Sequence, residues 1–254
     1  MKINWRIIIF LLLCVIAFLA SIAISKTEPF AELKNRVIYV FWTGNNEMSE
    51  NRKQCLENLK QTSECQVVLI TPQNLNQYII PEHPLHEAYE YLSYTHRADY
   101  LRTYFMHFHG GGYSDIKKTP ASWIPAFEEI ENNENVYING YREKRPGDIA
   151  NPSVLKTHSY DKFTGNCAYI VRPNTAFTQQ WYDEMMKLLD SKIEGLRKYH
   201  KSGVEKHPQE CRERNPNYPL EWNEMLGRIF HKVQGDYMQN VAYSVPYPIV
   251  TDYR

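Results

Sequence analysis

The chain lacks any excess of charge: 29 Lys and Arg stand against 29 Asp and Glu in 254 residues, with a pI near 7.1. Binding to phosphate backbones needs a basic excess or stripe, so this balance argues against nucleic acid as a partner. Internal repeats and low-complexity tracts are also missing. With 43% hydrophobic and 23% charged residues, the composition excludes disorder and collagen. There is no Gly-x-Ser-x-Gly nucleophile elbow and no Walker loop to cradle a phosphate. Zinc-site spacing is absent too. His107 and His109 are two apart on an expected helix, where side chains diverge, and His83, His86 and His96 lack ligand spacing. The nearest approach to a glycosylation acceptor, Asn151-Pro152-Ser153, is spoiled by its proline.

Cysteine is scarce, with five in all. Cys14 sits in an apolar run. Cys55, Cys65, Cys167 and Cys211 could form two disulfides in an oxidising lumen, by three connectivities, or stay as buried thiols.

Long hydrophobic runs are missing with one exception. Ile7 to Ile24 is 18 residues without a charge, about the minimum for a membrane-spanning helix. Lys2 and Arg6 precede it, which favours an N-in orientation with the remaining residues outside the cytoplasm. Ser21-Ile22-Ala23 would also suit a cleaved signal peptide, but the length of the run favours a retained anchor. The expected organisation is a cytoplasmic tail at 1–6, a signal anchor at 7–24, a polar stem at 25–35 and one α/β domain at 36–254.

Within that domain, residues 36–42 read as a strand stopped by Thr43-Gly44-Asn45-Asn46, Ser49 caps a helix to about Lys60, and residues 66–70 form a second strand. Strand, helix and strand in so short a span predict a βαβ unit and a parallel sheet at this end. Ligands of such sheets bind beyond the carboxyl ends of the strands, which places Thr43–Asn46 and the segment after Ile70 beside the cleft. A long helix is expected from Leu85 to His109, ended by Gly110-Gly111-Gly112, then a short strand over 113–117. Further strands are expected at 136–138 and 167–171, helices at 175–200 and 220–233, and a loop at 201–219. Tyrosine is abundant at 19 residues, and rings with a polar tip suit wet clefts and sugar faces.

The segment with the most chemical content runs from His96 to Lys117. Asp99 and Arg102 share a helix face, a glycine turn follows, and a strand delivers Asp115 to its end. Glycines let backbone approach a ligand closely, and a carboxylate after such a turn can meet a metal ion or a ribose hydroxyl. By spacing alone, Asp99 and Arg102 equally suit a surface ion pair.

Ala98-Asp99-Tyr100-Leu101-Arg102-Thr103, followed by Gly111-Gly112-Tyr113-Ser114-Asp115, resembles the sugar-nucleotide-binding core of family-32 glycosyltransferases and the related capsular-polysaccharide-synthesis enzymes. Their pattern is Asp-x-x-Arg and then Gly-Gly-x-Tyr-x-Asp-x-Asp. The close match covers roughly 20 residues, and a weaker correspondence covers about half the chain, including the strand that ends in Trp42. The resemblance implies an α/β domain of GT-A type that transfers a sugar from a nucleotide-sugar donor with retention, to a hydroxyl of a glycan or lipid. It implies donor contacts from Trp42, Asp99, Arg102, Gly111, Gly112, Tyr113 and Asp115. Thr164-Gly165-Asn166 resembles the family's Thr-Gly-Pro turn, which adds Gly165 and Asn166. Glu221, Trp222 and Glu224 suit the acceptor side, or else an amphipathic helix start with solvated acids.

One departure stands out. Where the family has Asp-x-Asp, this chain has Asp115-Ile116-Lys117. The second acid is the family's main ligand for a divalent metal, Mn or Mg, and a protonated lysine cannot ligate. Three explanations are open. Lys117, with Lys118, could neutralise the leaving diphosphate, making Asp115 and Lys117 the catalytic pair. Asp115 could hold a metal with help from Asp236 or Asp252. Or the chain could be an inactive, sugar-binding descendant. An N-in anchor implies a Golgi-like lumen, where nucleotide sugars are imported, and hence a eukaryotic or eukaryote-infecting source. In a bacterial inner membrane the domain would instead face the cytoplasm.

Overall fold

The computed structural model describes residues 36–201 and 215–252. The expected anchor at 7–24, the stem at 25–35, Cys14 and Cys211 lie outside the described residues. Among those described, no helix is long and apolar enough to cross a membrane.

The first strand, β1 (Val37–Phe41), is a run of β-branched and aromatic residues. Helix α1 (Glu50–Thr62) begins where the Ser49 hydroxyl accepts from Arg52 N, and it buries Cys55, Leu56 and Leu59 on one face. Strand β2 (Gln66–Ile70) pairs in parallel with β1. After a loop with two 3₁₀ turns come α2 (Tyr94–Phe108) and β3 (Gly111–Ser114), then α3 (Ile124–Glu131), β4 (Ile138–Arg142), β5 (Thr164–Val171), α4 (Ala176–Lys201), α5 (Gly227–Asp236) and β6 (Val241–Ala242). The six strands form one sheet in the order β2-β1-β3-β5-β4-β6. Strand β1 pairs in parallel with both β2 and β3, while β3–β5 and β4–β5 are antiparallel.

Side-chain alternation divides the core into two layers. Ile38, Val40, Ala168 and Ile170 point to the face covered by α1 and α3, where Leu59, Trp123 and Phe127 are buried. Tyr39, Phe41, Tyr169 and Val171 point to the other face, against Phe105 of α2, Trp181 of α4 and Phe230 of α5. Burying each such side chain is worth about 1.5–3 kcal/mol. Most of the tyrosine abundance is explained here. Tyr100 and Tyr104 are fully buried in α2, and their hydroxyls accept from the backbone N–H groups of His86 and Ile80, pinning the loop before α2.

Several expected boundaries are corrected. The helix expected over 85–109 is broken: Leu92 is extended, and the Ser93 hydroxyl accepts from His96 N to start α2 afresh. The strand expected to reach Lys117 ends at Ser114, because Lys117 N donates to Asp115 O in a tight turn. Strand β4 runs on through Asn139-Gly140, which reads locally as a turn; Gly140 is required because a Cβ there would lie 2.7 Å from Thr164. The helix expected over 220–233 begins only at Gly227, so Glu221–Glu224 form a turn. Cys55, Cys65 and Cys167 are all free. Every two-disulfide pairing of the four candidates needs one bond among these three, so that framework is not formed.

Candidate active site

In this sheet the chain leaves β1 for β2 on one side and returns to β3 on the other. Two parallel strands with diverging connections open a crevice at their carboxyl ends. A cleft of about 430 Å³ lies there, floored by Phe41 and Trp42 at the end of β1 and by Tyr113 and Asp115 at the end of β3. Ligand pockets are typically about 300–1,000 Å³. Its walls come from Thr43 and Gly44, from Arg52 of α1, from Tyr94 and Arg102 of α2, and from Ile116 and Lys117, with Trp222 at its rim. The restart of α2 at Ser93 is what brings Tyr94 and Thr95 to this edge. Thr43 Oγ1 donates to Tyr94 O at 2.6 Å, and Trp42 Nε1 donates to Asn46 O at 2.8 Å, so the loop after β1 is fixed from both sides. The segment after Ile70 does not line the cleft; it turns away as Asn74 Oδ1 accepts from Thr71 N.

Asp115 is the electrostatic centre. Its Oδ1 accepts from the Tyr113 hydroxyl at 2.6 Å and lies 3.2 Å from Arg102 Nη2. Its Oδ2 accepts from Lys117 Nζ at 2.8 Å. Both oxygens therefore already face donors. Ile116 is buried in the α1/α3 layer, which leaves Asp115 and Lys117 together on the cleft side. Arg102 stacks over the Tyr113 ring at 4.3 Å, donates to Asn166 O at 3.0 Å and sits 3.7 Å from Asp99. Its Nε and Asn166 Oδ1 are buried without a protein partner.

Burial would raise the Asp115 carboxyl, but Arg102 and Lys117, with hydrogen bonds from Lys117 and Tyr113, hold it well below the usual carboxylate range. Burial likewise works against the Lys117 ammonium, yet Asp115 and the Cys167 sulfur, 3.0 Å from Nζ, raise its pKa. The cluster is thus fully ionised at neutral pH.

Of the residues singled out by sequence, Trp42, Arg102, Tyr113, Asp115, Lys117 and Trp222 line one cleft, and Asp99 backs it from behind Arg102. Others stand elsewhere. Gly111 and Gly112 do not approach the cleft: Gly112 packs under Ile38, Trp123 and Phe127, and Gly111, at φ +90°, lies against Val37 O. Gly165 and Asn166 belong to β5 rather than a turn; Gly165 lies against the Tyr141 ring, and Asn166 contributes its carbonyl to Arg102. Glu221 pairs with Arg228 and Glu224 with Lys192, so neither carboxylate lines the cleft. Lys118 is absent from the lining, and its carbonyl accepts from Ile249 N. Asp236 accepts from Gln180 on the surface, and Asp252 is exposed near the chain end; neither reaches Asp115. His107 faces Thr178, while His109 Nε2 donates to Tyr78 O on another side of α2. No three His, Cys, Asp or Glu side chains among the described residues are placed to hold a metal. Arg52 was not visible from sequence, because a lone arginine in the first turn of an amphipathic helix reads as surface.

The chain is similar to the solved structure of PaToxG glycosyltransferase, at 12% identity and a TM-score of 0.41, over 80% of this chain and 69% of that one. No curated protein matches it. Residues 17–144, half of the chain, match the family model for capsular polysaccharide synthesis protein, and the match spans β1 through β4 and includes all of the Asp99–Lys117 segment. The chain belongs to the capsular polysaccharide synthesis protein family.

Proposed function

We propose that the chain is a membrane-anchored glycosyltransferase of GT-A type that moves a hexose from a nucleotide-sugar donor to a hydroxyl of a glycan or lipid, with retention. The observation that carries this reading is the meeting of Arg102, Asp115 and Lys117 in a cleft at the β1/β3 switch point, in a member of a polysaccharide-synthesis family. In the transfer, the bond from the sugar C1 to the diphosphate oxygen breaks and its electron pair leaves with the phosphate. The acceptor hydroxyl oxygen bonds to C1. Asp115, the carboxylate on the cleft lining, is held ionised between two cations and is a poor base. The hydroxyl proton therefore passes to the departing phosphate.

Trp222, with 57% of its surface exposed at the rim, offers a ring face on which an acceptor sugar can stack. The anchor at residues 7–24 would hold the cleft beside a membrane, facing a Golgi-like lumen. The testing experiment incubates the full chain with a panel of nucleotide sugars and follows nucleoside diphosphate release, with and without oligosaccharide and lipid-linked acceptors. Turnover that disappears in Asp115→Asn supports the reading. No binding and no turnover of any donor would sink it. A second reading, a sugar-binding protein that keeps the fold without transfer, is favoured by the lysine standing in place of the second acid, and it predicts donor binding without release.

A further inference from the structure

The family resemblance implies a dication held between a donor diphosphate and two carboxylates. The cleft is built with the opposite sign. Its charged lining is Arg52, Arg102, Asp115 and Lys117, three cations against one carboxylate. Counting the buried Asp99 behind Arg102 still leaves an excess of one positive charge. The carboxylate on that lining is not open to a metal, because its oxygens are taken by Tyr113, Arg102 and Lys117 at 2.6, 3.2 and 2.8 Å. A dication entering there would have to displace an ammonium and a guanidinium from its first ligand. The nearby acid Asp99 faces Arg102 rather than the cleft lining, and no group of three ligands is placed to hold a metal among the described residues. The donor set does not fit a divalent metal. It fits an anion.

We propose that this cleft binds a nucleoside diphosphate without a divalent cation, and that Lys117 and Arg52 supply the positive charge its phosphates require. The proposal rests on the nucleotide-sugar reading above and deepens it. Lys117 occupies the position in the chain where the family places its metal ligand, and its ammonium is fixed by Asp115 and the Cys167 sulfur rather than left to swing. Arg52 reaches the same turn from the opposite wall. Its Nη1 donates to Ile116 O at 2.9 Å, between Asp115 and Lys117 in sequence, which steadies the guanidinium while its side chain lines the cleft. A planar guanidinium suits bidentate contact with phosphate oxygens, and a pre-positioned cation stabilises charge as it develops on a leaving group. Arg102 is left in a supporting role, since its Nη2 faces Asp99 and Asp115 and its Nη1 holds Asn166 O.

The test is calorimetric titration of the full chain with UDP, GDP, ADP and CDP, in excess EDTA and again with Mn²⁺ or Mg²⁺. At least one nucleotide should bind with an affinity that differs by no more than about twofold between the two conditions. That affinity should fall with salt. Arg52→Ala and Lys117→Met should each weaken it by about tenfold or more, the loss expected for a charge-assisted hydrogen bond. Lys117→Asp, which restores the family's pair of acids, should make binding depend on the metal. Arg52 is partly exposed, so its variant should melt like the unmodified chain even if a Lys117 variant is weakened. Binding by the unmodified chain that is lost in EDTA overturns the proposal and leaves the nucleotide-sugar reading intact. Full affinity in Arg52→Ala also overturns it. Failure of all four nucleotides with and without metal removes the nucleotide-sugar reading itself, and the proposal with it.

Discussion

Two turns contribute to the cleft, one through Asp115 and Lys117 and the other through Trp222, and both set carboxylates beside cations. In the Asp115–Lys117 turn the side chains are 21% and 8% exposed, and Arg102 completes the group at 12%. In the Glu221–Glu224 turn, Glu221 is 68% exposed and pairs with a half-exposed Arg228, whereas Glu224 is 17% exposed and pairs with Lys192 away from the cleft. The residue types are alike; the solvent is not. Charges taken from water cost several kcal/mol each and persist only when wired to one another, whereas exposed pairs contribute little. Burial thus separates the Asp115 cluster from the Glu221–Arg228 pair, and a place on the cleft lining separates it from Glu224 and Lys192.

The largest effect should come from cutting the buried side of this comparison. Asp115→Asn leaves Arg102 and Lys117 without their shared counter-ion. We expect a loss of about 3–5 kcal/mol in urea unfolding, together with loss of nucleotide binding. The pH dependence has a definite sign. Because the folded-state pKa of Asp115 is depressed, its contribution is present above the ordinary carboxylate range and lost as pH falls through the folded value. Acid titration of the variant should therefore be flatter at its low end than that of the parent.

Next comes the backbone that aims the turn. Gly111 has φ +90°, and a Cβ there would lie 2.9 Å from Val37 O in the neighbouring strand. Gly111→Ala should cost about 1–3 kcal/mol and loosen the β1–β3 pairing that presents Trp42 and Asp115 together. A lowered Tm with a parallel drop in turnover is the expected result. An unchanged Tm would show that the pairing tolerates a side chain at this point.

A third carboxylate sharpens the contrast from within the core. Glu143 is buried just beyond β4 and makes no ion pair among the described residues. Burial, then Asp148, pushes its pKa up to about 7. Its neutral form is the one the fold prefers, so this stability is full below the unfolded value and lost as pH rises through about 7. Glu143→Gln should be more stable than the parent by about 1–2 kcal/mol at pH 8 and no different at pH 4. His107 and His231 carry the opposite sign: burial lowers both to about 4, so their contribution is present above the ordinary histidine value and lost on acidification. Thermal melts across pH separate the two windows.

Much of this comparison was legible in the sequence, for reasons that can be named. Strand β1, helix α1 and strand β2 follow from β-branched runs, the Ser49 cap and turn residues, all local signals. The Asp99–Arg102 spacing and the position of Asp115 after a glycine turn were equally local. What escaped depends on tertiary packing. Nothing near Leu92 announces that it is extended, and the helical period runs straight through it. Gly111 and Gly112 read as a ligand cradle because glycine reports that something comes close, not whether it is a ligand or a neighbouring strand. Arg52 becomes part of the cleft only because pairing of β1 with β3 swings α1 against the Asp115–Lys117 turn.

The smallest effect is expected on the exposed side, and it is the one that closes the comparison. Glu221 accepts from Arg228 in a short contact, with water reaching both partners. Arg228 lowers the Glu221 pKa through that hydrogen bond and then through charge, but an exposed pair loses most of its advantage to screening and side-chain entropy. Glu221→Gln should leave the urea-unfolding midpoint unchanged and alter donor turnover by no more than about twofold. Trp222→Ala, one residue along, should leave donor binding alone and raise the acceptor KM, because that ring rather than its acidic neighbour lines the cleft. If Glu221→Gln instead abolished transfer at unchanged stability, the exposed turn would hold a catalytic carboxylate, and burial would no longer distinguish the two sides.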